Sequence, residues 1–360
     1  MSEPLILPYR GVIPAIGADF EAAPGSAVIG RARLGRDVQL GPLATLRADG
    51  HDVSVGDGCR FADRATVHIA DGVLGASVAN RVTAGRFTLI HACTVSDDCV
   101  IGDLAVIMDG SVLGPGGVLA AGALVPPGKQ LEGGWLYAGS PARPVRQIDE
   151  AERAAMWRAV AEGGHHPDVT AAPEDLPALD NAPYLPAGGG NGPLYTLDGR
   201  DPAIDRAAYV APNAVVAGRA SVGAESSIWF STVLFGAGDG IDIGPRTSIQ
   251  DNSILDSSQG RCTVGSDVTG GHNIRLGACR VGNECLIGMG SIVMDGAVVE
   301  DGAFVGARAV VTPGTVVKSG WIWAGNPAKA FREVKPEERT YFLRGKEVYV
   351  AYSHRYREAA

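Results

Sequence analysis

Long runs of lysine and arginine, paired cysteine spacings and long uncharged apolar segments are all missing from this chain. The first absence removes the usual footprint of a nucleic-acid partner. Thirty-one basic residues face 40 acidic ones, giving a net charge near -9, with no basic stripe and no interleaved aromatics. No stretch reaches the roughly 18 uncharged residues that a membrane helix requires, and the opening MSEPLILPYRGVIP has no basic start and is broken by Pro8 and Pro14. The sequence therefore predicts a cytoplasmic protein with no membrane and no nucleic-acid partner. No CxxC occurs among the six cysteines, so a cysteine metal site is not expected. Four of them fall at matched places in an internal duplication, Cys93 with Cys279 and Cys99 with Cys285, which suits small apolar packing residues.

That duplication is the main thing present. IGDLAVIMDGSVLG at 101–114 returns as IGMGSIVMDGAVVE at 287–300, and AGSPARPVR at 138–146 returns as AGNPAKAFR at 324–332. With 46% hydrophobic residues in a chain of 360, two homologous cores are affordable. The expected division is a first domain at 1–163, a Gly/Pro/Ala-rich flexible linker at 164–192 and a second domain at 193–360. His165 and His166, at the linker's start, read as a surface pair.

Apolar–Gly pairs recur about every six residues: VIG at 28–30, LG at 34–35 and LG at 40–41, then VG at 222–223 and IG at 243–244. In such a repeat an inward aliphatic fills a triangular core and a small residue permits the corner, so about eighteen residues close one coil. The fold class is all-β dominated: two left-handed parallel β-helices, each followed by a C-terminal α-helix. A β-sandwich would need alternating strands and hairpin turns such as Asn-Gly, which are nearly absent. Asp149 is placed to cap a helix over 150–162, and Pro336 opens a second over about 336–357. Each helix is expected to pack back on its own prism.

TSIQDNSIL at 247–255, DVTGGHN at 267–273, IGMGSIVMDGAVV at 287–299 and AGNPAK at 324–329 in the second copy resemble the γ-class carbonic anhydrase family. The first copy adds TLRADG at 45–50, ATVH at 65–68 and IHAC at 90–93. Members are trimers of prisms with zinc between neighbours, one subunit giving the first and third histidines and the adjacent one the second. At these positions copy one reads His68, Arg86, His91 and copy two reads Asp256, His272, Gly277. The resemblance thus implies a composite Zn²⁺ site of His68, His91 and His272, with Fe²⁺ or Co²⁺ as alternatives, and reversible hydration of CO₂ to bicarbonate.

Spacing agrees. Position 86 lies one coil after His68 and should stack on it, with His91 near the following corner. Two imidazoles at one edge make half a tetrahedral site, so a third ligand has to come from outside the prism. By resemblance, Gln250 is the glutamine beside the zinc water, Asp251 and Asp63 support the hydrogen-bond network, and Tyr349 sits where the family can place a tyrosine near the cleft. Arg47 and Asp49 resemble an interface ion pair, and Arg86 is expected to face Asp256 where the metal is lost. The rival readings are a catalytically inactive assembly scaffold and an enzyme acting on acyl groups or CoA thioesters. Three prisms cannot alternate two copies around a ring, which implies a homo-oligomer of pseudo-trimeric β-helix units or a related partner subunit.

Overall fold

The computed structural model describes residues 3–176 and 193–359. It divides into two units, Met1–Asp180 and Asn181–Ala360, each a parallel β-helix closed by one α-helix. In the first unit one face stacks Ala27–Leu34, Thr45–Val55, Thr66–His68, Leu89–His91, Val106–Ile107 and Leu124–Val125 in parallel. The register lines up Val28, Leu46, Val67, Ile90, Ile107 and Val125 as one inward row, all almost fully buried. The second unit repeats it with Val216, Leu234, Leu255, Leu276, Val293 and Val311. Each such side chain contributes about 1.5–3 kcal/mol through burial. These rows hold the prisms and leave the corners free to vary.

Between coils the chain turns through residues in the left-handed region, including Arg64 (φ 56°) and Phe87 (φ 54°) in the first unit and Asn252 and Asn273 (both φ 58°) in the second. All six cysteines are free and buried, and burial pushes the Cys59 and Cys285 thiols up to about 11. They serve packing, as the sequence suggests.

The first helix, α1, spans Glu150–Ala161 with Asp149 as its N-cap, accepting from the Glu152 amide at 2.8 Å. Met156 and Val160 seat it on Val100, Val118 and Leu136. The second, α2, is twice as long, Pro336–Ala359. Tyr349, Tyr352 and Tyr356 bring it onto Trp229, with ring centroids at 5.3, 6.1 and 5.4 Å. Both helices therefore fold back on their own prisms. Residues just after α1 are packed, with Val169 fully buried and its carbonyl accepting from the Asp103 amide at 2.9 Å. Of the expected linker, 177–192 lies outside the described residues. Among the described residues no helix is long and apolar enough to cross a membrane.

Candidate metal and catalytic site

In the first unit the ladder pairs His68 directly with His91, and their rings meet edge to face with centroids 5.5 Å apart. This corrects the expectation that position 86 stacks on His68. The coil between the histidines carries an extra excursion with a turn at Ala70–Leu74, so it takes more than eighteen residues to return, and His91 arrives on the next rung. Both rings are buried, 1% and 6% exposed. His68 Nδ1 lies 2.8 Å from the Arg47 carbonyl oxygen, and His91 Nδ1 lies 2.6 Å from Asp109 Oδ1. An acceptor on Nδ1 fixes the proton there and puts the lone pair on Nε2 in both rings.

Beside them Arg47 and Asp49 form a fully buried ion pair at 2.5 Å. Asp49 also accepts from the Gly50 amide at 3.1 Å. With both charges and a donor satisfied, the pair fixes the strand whose carbonyl holds His68. Asp109 went unnoticed in the sequence because MDG occurs in both copies. Its counterpart Asp295 shows what the motif does without a histidine: the carboxylate accepts from the Ala278 amide at 2.7 Å and stands where a Cβ would project from Gly277.

In the second unit Gln250, Asp251 and His272 come together at one corner. The Gln250 amide bonds Gly270 O at 3.0 Å and the Asn273 amide bonds Asp251 O at 2.9 Å, which brackets His272. Its Nδ1 lies 3.0 Å from Asp251 Oδ2, both side chains fully buried. Asp251 Oδ1 accepts from the Phe230 amide at 3.1 Å, which fixes the carboxylate, and Oδ2 faces the imidazole at ion-pair distance outside hydrogen-bond alignment. Tyr349 on α2 places its hydroxyl 3.4 Å from His272 Nε2. Gln250 is 3% exposed, and its Oε1 has no hydrogen-bond partner among the described residues. An orphaned buried acceptor is costly unless something else supplies a donor.

The matching corner of the first unit is built differently. Arg86 turns to Asp103, with its amide at 2.7 Å and its Nε at 3.1 Å from the carboxylate. Asp103 takes a further amide from Ala171 at 2.9 Å. The second unit has Met289 at the position of Asp103, so its histidine turns the other way, to Asp251. Asp256 accepts from the Ser258 amide at 2.8 Å and closes a local turn. Arg86 and Asp256 thus each have a partner in their own unit. Asp63 stays near Arg86, and burial pushes its carboxyl above the usual range against the pull of Arg86 and Arg64.

Comparison with known proteins places this architecture. The family model "Bacterial transferase hexapeptide (six repeats)" matches residues 278–313. Protein YrdA of Escherichia coli is 37% identical over 159 residues, covering 42% of this chain and 86% of that protein. Gamma carbonic anhydrase 3, mitochondrial, of Arabidopsis thaliana is 43% identical over 156 residues, covering 41% of this chain and 60% of that protein. The chain belongs to the γ-class carbonic anhydrase family of hexapeptide-repeat proteins. It spans less than two thirds of the length of that plant relative. A crystal structure of a hexapeptide transferase family protein from Anaplasma phagocytophilum is also similar, 42% identical over 45% of this chain and 96% of the other, with a TM-score of 0.44.

Proposed function

We propose that the chain holds a divalent metal, Zn²⁺ first and Fe²⁺ or Co²⁺ as alternatives, on His68 and His91 of the first unit and His272 of the second, and interconverts CO₂ and bicarbonate. The observation that carries the reading is shared by all three rings. In His68 and His91 Nδ1 is hydrogen-bonded to the Arg47 carbonyl and to Asp109, and in His272 Nδ1 stands at ion-pair distance from Asp251, 3.0 Å, outside hydrogen-bond alignment, so that Nε2 is the atom each ring offers. Three such imidazoles with a fourth position open suit a catalytic zinc. When bound, the metal supplies a Lewis acid that brings the pKa of a water to about 7.

The chain's own residues account for the rest. Asp109 and Asp251 hold their rings in one tautomer and raise the basicity of Nε2. Gln250 Oε1 offers a buried acceptor that does not titrate, suited to orienting the donor hydrogen of a water or of bicarbonate. The Tyr349 hydroxyl can take or give a hydrogen bond beside His272 Nε2. CO₂ is small and apolar and needs no charged recognition, so buried surroundings that exclude bulk water are adequate for it. Because a ring needs three prisms and each chain supplies two, closing it takes prisms from more than one chain.

Stopped-flow CO₂ hydration on the zinc-loaded chain tests the reaction. Wild type should be active, Gln250→Ala should keep its metal and lose about tenfold or more in rate, and His68→Ala should lose both. A chain that holds its metal yet does not hydrate CO₂ would contradict the reaction and leave the scaffold or acyl-directed reading.

A further inference from the structure

The first unit contains a cavity of 530 Å³ between the end of α1 and the face bearing Arg60–Phe61, lined among others by Gly41, Asp63, Arg86, Val160 and Thr170. Position-by-position comparison within the chain explains it. Where the second unit has the fully buried Trp229, the first has Gly41, and where the second has Tyr209 the first has Glu21. The second unit's helix continues through Tyr349, Tyr352 and Tyr356. The first unit's helix ends at Ala161 and presents only Ala159, Val160 and Ala161 before the chain turns away at Gly163 and Gly164, which also line the space. The hollow is fixed by backbone, since a Cβ at Gly41 would lie 2.8 Å from the Ala62 carbonyl carbon and from the Asp63 nitrogen. Its volume is within the usual range for small-molecule sites.

The charges on the lining are not equivalent. Arg60 is held by both oxygens of Asp37 at 3.0 and 2.9 Å, and Arg86 is held by Asp103. Both guanidinium groups are neutralised within the protein. The Asp63 carboxylate receives no side-chain hydrogen bond among the described residues, whereas its counterpart Asp251 has the His272 imidazole at ion-pair distance. Glu21 adds a second carboxylate to the lining, and Leu40, Phe61 and Val160 add apolar surface. Among the described residues, the charged groups on the lining that no ion pair or side-chain hydrogen bond engages are therefore acidic and sit against an apolar wall, with Arg86 and Arg64 acting on Asp63 only through space.

We propose that this cavity binds a small organic cation, a primary ammonium on a short apolar body, with the ammonium on Asp63. The site uses none of the three histidines, so it stands or falls independently of the metal. The test is calorimetric titration of the full chain, in excess chelator, with benzylammonium, benzyl alcohol and benzoate. Benzylammonium should bind wild type saturably, and the alcohol and benzoate at least about tenfold more weakly. Asp63→Asn, which keeps shape and removes charge, should lose at least about tenfold for benzylammonium. Ala159→Phe, which fills the cavity from α1, should abolish binding. Absence of saturable binding, equal binding of benzoate, or undiminished binding to folded Asp63→Asn would each overturn the proposal. The comparison of three ligands on wild type holds even if a variant fails to fold.

Discussion

The two units share a ladder and differ at its corners, and the differences are coordinated within each unit. The first keeps His68 and His91 with the Asp109 that orients the latter, and at the remaining histidine position pairs Arg86 with Asp103. The second keeps His272 with Asp251 and Gln250, and at the position of His91 lets Asp295 fill the space beside Gly277. Trp229 and three tyrosines plug one unit's helix-covered face, while Gly41 and a short helix hollow out the other's. A β-helix tolerates this because its inward aliphatic rows hold the coils without help from the corner side chains.

The largest expected effect comes from removing the plug. Trp229→Ala deletes a fully buried indole and should cost about 3–5 kcal/mol in urea unfolding. In the opposite direction, Gly41→Ala forces a Cβ into backbone and should cost about 1–3 kcal/mol. If Trp229→Ala cost under about 1 kcal/mol, the plug would not be what distinguishes the second unit's helix.

Smaller, and aimed at the metal site, is the contrast between the two MDG motifs. Asp109→Ala should weaken metal binding about 10–100-fold by freeing His91 Nδ1, whereas Asp295→Ala should leave affinity unchanged. Metal competition titrations read both. Equal effects would mean that the two aspartates do not differ in role.

The smallest effect concerns Asp63. Burial raises its folded carboxyl above the unfolded value, so the folded chain keeps that proton to higher pH. The stability it contributes is present at low pH and lost as pH rises through the folded value. Asp63→Asn should therefore gain on wild type between acid and neutral pH in thermal unfolding. A gain toward acid would reverse the assignment.

What the sequence made legible follows from where information lies in a β-helix. The inward aliphatics recur in sequence because every coil must fill the same triangular core, and so the strands, the duplication and both capping helices could be read directly. Ladder register at the corners could not, because the excursion after His68 lengthens one coil and moves His91 onto the rung expected for position 86. The Arg86–Asp103 pair was hidden because each arginine partner lies on a neighbouring coil and no local spacing announces it. The cavity depends on an absence, glycine where the other copy has tryptophan, and its meaning appears only when the helix above it is seen to stop short. Chemistry carried by a named side chain was legible; chemistry carried by a neighbour's side chain or by empty space was not.

Metal content per chain tests most directly the proposal that His68, His91 and His272 serve one metal. Purified wild-type chain loaded with zinc and dialysed should retain metal, and His68→Ala and His272→Ala should each lose it, although the two substitutions lie in different units. Full metal retention in His272→Ala, or no metal in wild type, would contradict the account.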